Sequence, residues 1–148
     1  PEAFVFYPGV PEALAILQQH FGRILIVTNQ RGIGRGLMTH EDLHQVHGYM
    51  QQVLQEAGVY LHAMYYAPDL AGDAPDRKPN TGMGLKAKAD FPDLDFTRSV
   101  MIGNHDSDML FGKRLGMKTV FVTTTCEPSD AALPDLILPS LPAFASLF

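Results

Sequence analysis

A chain of 148 residues, 46% of them hydrophobic, has the length of one domain and enough apolar side chains to bury a core. Its net charge is −5 and its 11 Lys and Arg form no stripe or cluster, which excludes a non-specific nucleic-acid or membrane-surface role. No apolar run approaches the roughly 20 residues that span a bilayer, no signal peptide is visible, and the lone Cys126 has no internal disulfide partner, so a reducing cytoplasm is expected.

Taken in chain order, Pro11 to Phe21 places Ala13, Leu14, Leu17 and Phe21 on one helical face, with Gly22 as its stop. Arg23 to Thr28 reads as a strand, apolar throughout, as when both faces of a parallel sheet are covered. A glycine-bearing loop runs from Asn29 to Met38, and Thr39 offers an N-cap. Leu43, Val46, Met50 and Val53/Leu54 form the buried stripe of a helix ending near Gly58. Leu61 to Tyr66 is a second strand, followed by a long loop rich in Pro and Asp to Asn80. Gly82 to Ala89 reads as a short helix and Val100 to Ile102 as a third strand. Asp106 or Ser107 caps a helix to Leu115, which Gly116 ends. Lys118 to Val122, then Leu136 to Leu138, read as strands, and Leu141 to Phe148 as a last turn or helix. Strands separated by helices imply parallel crossovers, hence a doubly wound α/β sheet in one domain, 1–148.

In such sheets a ligand site lies outside the carboxyl ends of the strands. Three polar segments fall at that edge: Thr28-Asn29-Gln30, the loop carrying Arg77-Lys78-Pro79, and Gly103-Asn104. A hydroxyl, an amide and a lysine converging there suit a phosphate or an oxyanion. Singly, Thr28 reads as a strand end bonded to backbone and Lys78 as a solvated lysine. Two adjacent cations on a proline-fixed loop fit a phosphate better. Such a loop lysine contributes charge rather than packing, so its removal is expected to cost little stability. The oxygens of Asn104, Asp106 and Asp108 suit a hard cation, with helix capping as the plainer use of Asp106 or Ser107.

Other patterns weigh less. Gly32, Gly34 and Gly36 lack the spacing of a dinucleotide fingerprint. His40, His44 and His47 share a helix without an evident further ligand, so a polar helix face is the expected reading. His105 reads as an exposed loop histidine, and Cys126 has no activating base beside it in sequence.

The ordered set Tyr7-Pro8-Gly9-Val10, Thr28 to Gly36 (TNQRGIGRG), Tyr65-Tyr66-x-Pro68, Arg77-Lys78-Pro79 and Gly103-Asn104-x-x-x-Asp108 resembles the haloacid dehalogenase (HAD) superfamily. Within it, the chain looks like the branch of heptose 1,7-bisphosphate and histidinol-phosphate phosphatases. The resemblance implies a HAD-like Rossmannoid fold and a Mg²⁺-dependent phosphatase of a small-molecule phosphate ester, acting through an aspartyl-phosphate. It implies that Thr28 holds the transferred phosphoryl group and that Lys78 balances charge on nucleophile and phosphate. Asn104 and Asp108 would sit on the magnesium side, and Asn29, Gln30, Arg35 and Arg77 would contact substrate. Neither a membrane nor a nucleic-acid partner is implied; a monomer or weak homodimer is expected.

Three departures from the family pattern carry expectations of their own. The first motif, a strand ending in Asp-x-Asp, is absent before Tyr7. That strand is central in the fold, so the nucleophile and its strand are expected upstream, and the 148 residues alone are expected to be inactive. The fourth motif begins Gly103-Asn104 rather than Gly-Asp, so Mg²⁺ is expected to bind more weakly. The places of a zinc loop hold Ala67, Asp69, Ala74 and Asp76, so no structural zinc is expected. A non-catalytic phosphate-binding or interaction domain of the same fold is the alternative to the enzyme.

Overall fold

The computed structural model describes residues 9–29, 39–67, 75 and 77–148. Helix and strand alternate up to Val122, the strand Leu136–Leu138 follows without a helix between, and the residues fall into two compact units, Pro1–Pro68 with Leu141–Phe148, and Asp69–Ser140. Gln30, Arg35, Asp69, Ala74 and Asp76, to which the sequence gives expectations, lie outside the described residues.

In the first unit, α1 (Val10–Phe21), β1 (Leu25–Asn29), α2 (His40–Glu56) and β2 (Ala63–Ala67) follow one another, and the last helix of the chain, α5 (Leu141–Ala145), belongs here too. β1 and β2 run parallel, in register from Leu25 opposite Ala63 to Asn29 opposite Ala67. Met50, Leu54, Val59 and Leu61 make a buried cluster on which Leu14, Ile24, Ile26 and Met64 pack. The turn after α2 is a Schellman motif: Val59 N–H donates to Leu54 O (2.8 Å) and Gly58 N–H to Gln55 O (3.0 Å), with Gly58 at φ +82°. Only glycine adopts that backbone without strain, which is why the helix stops there. Gln18 of α1 clips onto this turn, its Oε1 accepting from Tyr60 N–H at 2.6 Å.

Two side chains depart from the sequence reading. Phe21 is exposed, because at the last turn of α1 its ring lies against Phe148 (centroids 5.4 Å apart) instead of in the core. His47, expected on a polar face, is buried to 9% exposure. It sits between Val46 and Met50 on the turn that carries the apolar stripe, so the helical period turns it inward.

That burial has a measurable consequence. Desolvation, and then the neighbouring His44, hold the His47 pKa below its ordinary value. The unfolded chain therefore takes up the proton first, so the stabilising share of neutral His47 is complete above about pH 6.5. It is lost as pH falls from there through the lower folded value. Melting temperature is expected to drop on acidification through this window, and to drop less in His47→Gln. An equal slope in both proteins would show that His47 does not titrate differently on folding.

In the second unit, α3 (Gly82–Asp90), a 3₁₀ turn (Phe96–Arg98), β3 (Val100–Gly103), α4 (Asp106–Arg114), β4 (Lys118–Val122) and β5 (Leu136–Leu138) follow in order. The sheet has the order β3-β4-β5, all parallel. Helix α4 lies close on β3 and β4 because Gly112 faces them; a Cβ there would stand 2.8 Å from Met101 Cβ and Thr119 Cγ2. Its end repeats the Schellman pattern, with Met117 N–H on Gly112 O (2.9 Å) and Gly116 at φ +82°. Phe111, Phe121 and Met109 fill the core. Thr119, fully buried, donates its N–H (2.8 Å) and hydroxyl (3.1 Å) to Asp135 Oδ2, which fixes the approach to β5. Those bonds also hold the Asp135 carboxyl below its ordinary pKa. Parallel strands joined through helices are the α/β class read from the sequence. No helix among the described residues is long and apolar enough to cross a membrane.

Candidate active site

The second unit gathers Lys78, Asn104 and Asp108. Lys78 lies on the segment before α3, where Asn80 N–H donates to Arg77 O (2.9 Å) and Gly82 N–H to Pro75 O (2.8 Å). Its Nζ reaches Asp108 Oδ1 at 2.5 Å, and the two side chains are only 9% and 5% exposed. The other oxygen, Oδ2, accepts the backbone N–H groups of Asn104 and His105, each at 3.2 Å. Asp108 is thus the third residue of α4, bonded back to the N-cap, His105. The cap falls one residue before Asp106 and two before Ser107, the expected caps. Asp106 instead accepts Ser129 N–H at 3.2 Å, so its carboxylate ties down the loop after β4.

These contacts explain why the loop lysine is buried. Helix α4 reaches the Lys78 loop at both ends: Asp108 holds the ammonium, and Arg114 Nη1 in the last turn donates to Pro79 O at 3.2 Å and Asn80 Oδ1 at 3.4 Å. Burying a carboxylate against an ammonium gives each charge a partner that replaces part of the water it loses. The result is a fixed positive charge at the carboxyl edge of β3, where such sheets bind ligands. Sequence reading gave Asp108 to the metal side and did not foresee the Lys78 bond. Its N3 place on a capped helix was the available signal. Arg114 carried no signal beyond its place in a last helical turn.

Asn104 follows β3 directly. Its Nδ2 donates to Thr125 Oγ1 at 3.1 Å, which leaves the amide's other prong, Oδ1, as the oxygen for a cation. Amide and carboxylate oxygens are the donors a hard divalent ion takes. The described residues hold no group of three or more His, Cys, Asp or Glu able to bind a metal. The oxygens of Asn104 and Asp108 are donors of the kind that Mg²⁺ takes when it keeps several of its own waters.

In the first unit, Thr28 and Asn29 close β1, with Thr28 opposite Tyr66. The Tyr66 hydroxyl bonds His40 Nδ1 at 2.7 Å, and the rings of His44 and His47 stand 6.0 and 6.4 Å from the Tyr66 ring. The three histidines therefore surround a phenol, and two of them, His44 and His47, line with Tyr66 part of a cavity of about 410 Å³. Arg77, half-buried, precedes Lys78 in the second unit.

A HAD-hydrolase-like family model matches residues 76–144. A protein of Vibrio cholerae named D-glycero-beta-D-manno-heptose-1,7-bisphosphate 7-phosphatase is 33% identical, over 93% of this chain and 80% of its own. The D-glycero-alpha-D-manno-heptose-1,7-bisphosphate 7-phosphatase of Burkholderia mallei is also 33% identical, over 88% and 73%. Among solved structures, the D,D-heptose 1,7-bisphosphate phosphatase of B. bronchiseptica, complexed with magnesium and phosphate, superposes with a TM-score of 0.88. It is 25% identical and is matched over 99% of this chain and 85% of that one. With relatives at a third identity over most of both chains, and parallel strands whose edge carries the Lys-Pro and Gly-Asn segments, the chain belongs to the HAD-like hydrolases, in their phosphoric monoester hydrolase branch.

Proposed function

We propose that this chain forms the greater part of a Mg²⁺-dependent phosphatase of small phosphorylated metabolites, with a heptose 1,7-bisphosphate as the best candidate substrate and histidinol phosphate as the other. The observation that carries the proposal is Lys78, buried and fixed on Asp108 beside the Asn104 backbone. A lysine held in that way costs nothing to reorganise when charge develops on a transferring phosphoryl group. The relatives' names, which specify a heptose bisphosphate, support the substrate class.

In this mechanism an aspartate from a segment preceding Pro1 attacks phosphorus and displaces the ester oxygen, which takes a proton from solvent and leaves as the alcohol. Water then attacks the aspartyl-phosphate, giving inorganic phosphate and restoring the carboxylate. Lys78 balances the charge shared by carboxylate and phosphoryl oxygens, and Thr28 donates its hydroxyl to the same group. Asn29, Gln30, Arg35 and Arg77 bind and orient the ester. Asn104 and Asp108 would hold Mg²⁺; Asp108 has the smaller share, because Lys78 and two N–H groups already engage its oxygens. Bound there, Mg²⁺ would supply positive charge to the phosphoryl oxygens.

Asn104, an amide where the family has an acid, favours a second reading as a phosphate-binding domain without turnover. Phosphate release by the full-length protein with Mg²⁺ separates the two, measured on both anomers of heptose 1,7-bisphosphate and on histidinol phosphate. Release is expected to be fastest from a heptose bisphosphate. A folded protein that releases phosphate from none of them, yet binds inorganic phosphate in calorimetry, would establish the second reading instead.

A further inference from the structure

The loop after β4 grips Asn104 through a closed relay. Asn104 Nδ2 donates to Thr125 Oγ1 at 3.1 Å, the Thr125 hydroxyl contacts Cys126 Sγ at 4.0 Å, and Cys126 Sγ contacts the backbone oxygen of Asn104 at 3.3 Å. Donor and acceptor rules fix the direction of the thiol step and set what the hydroxyl is offered in the others. A carbonyl oxygen only accepts, so the thiol proton is spent on Asn104 O. The sulfur is left to accept, and at 4.0 Å it is the acceptor that the loop offers the Thr125 hydroxyl. Toward Asn104 the Thr125 oxygen then has only lone pairs to offer, and the amide must present its NH₂ end. An amide has nearly the same shape either way round, so its orientation is set by such partners alone.

We propose that Thr125 and Cys126 are positioning residues that fix the Asn104 amide with Nδ2 on the loop and Oδ1 toward Mg²⁺. The inference rests on the reading of Asn104 as a metal ligand. It gives the departure from the family's acid a physical requirement: an Asp has two equivalent oxygens and needs no orientation, whereas an Asn with the wrong end forward meets the cation with a donor.

The test titrates the full-length protein with Mg²⁺ by calorimetry, without substrate. Thr125→Val, which keeps the shape and removes the hydroxyl, is expected to weaken Mg²⁺ binding about tenfold, and Thr125→Ser to restore it to within about twofold. In an Asn104→Asp background, Thr125→Val is expected to change affinity less than about twofold. An equal loss in both backgrounds would overturn the proposal, because Thr125 would then only support the loop. Asn104→Ala distinguishes the premise from the inference. If it leaves Mg²⁺ affinity unchanged, the ligand reading falls and the inference with it. If it weakens binding while Thr125→Val does not, the inference alone falls. Should Thr125→Val not fold, the exposed Cys126 reads the same relay: Cys126→Ala is expected to weaken binding and Cys126→Ser, which keeps one proton and lone pairs, to preserve it. Equal affinities for those two variants and the wild type would overturn the proposal.

Discussion

Lys78→Ala in the full-length protein is expected to lower turnover about 10²–10³-fold and to destabilise the fold by about 3–5 kcal/mol. The first effect follows from losing a preorganised cation at the transferring phosphoryl group. The second corrects the expectation from sequence, in which a loop lysine contributes charge and little stability. Lys78 is 9% exposed and its partner Asp108 5%, so removing the ammonium leaves a carboxylate uncompensated in the interior. The two N–H groups on Oδ2 soften that penalty without cancelling the charge. Adding Asp108→Asn to Lys78→Ala separates the effects. The double variant carries no buried charge, so it is expected to regain much of the lost stability while turnover stays low. Denaturant midpoints and phosphate-release rates on the same preparations check both. Turnover within a few-fold of wild type in Lys78→Ala would remove Lys78 from the reaction. Unchanged stability would show that the ion pair contributes nothing net.

The contrast between those expectations marks where the sequence is legible. Helix ends are local matters, so Gly58 and Gly116 could be placed from the chain alone, and both adopt the left-handed turn that only glycine takes easily. Parallel strands were equally readable, because continuous apolar runs separated by helical stripes admit few other arrangements. The carboxyl edges then follow from topology, and with them Asn104 and the Lys78 loop. What the chain does not display is pairing across distance. Nothing in Arg77-Lys78-Pro79 says that the lysine turns inward onto an aspartate 30 residues later, and nothing in the last turn of α4 says that Arg114 reaches the same loop. His47 was misread for another reason: a polar residue type outweighed its helical phase, although its phase was the better guide. Thr125 and Cys126 were unreadable because their use depends on the direction of hydrogen bonds, which only the assembled loop determines.

Gly103→Ala is expected to lower stability by about 1–3 kcal/mol from overpacking alone, and turnover by more than tenfold. The residue ends β3 beneath the first turn of α4, where a Cβ would stand 2.5 Å from Asp108 Cγ and overlap its Cβ and carboxylate as well. Asp108 has no room to retreat along its own side chain, since Lys78 holds Oδ1 and the N–H groups of Asn104 and His105 hold Oδ2. Relief then requires either that α4 lift from the strand or that Asp108 rotate and release Lys78. Lifting is opposed at Gly112, which lets the helix lie on Met101 and Thr119. Rotation is therefore the expected response, and it displaces the cation from the phosphoryl site. Gly48→Ala supplies the control. That glycine lies inside α2 with nothing within 4 Å of an added Cβ, so the same change is expected to raise stability, by up to about 1 kcal/mol, with turnover unaltered. Thermal melts and phosphate release on the pair test the argument. A Gly103→Ala protein as stable and as fast as wild type would mean that Asp108 need not occupy this position for Lys78 to act.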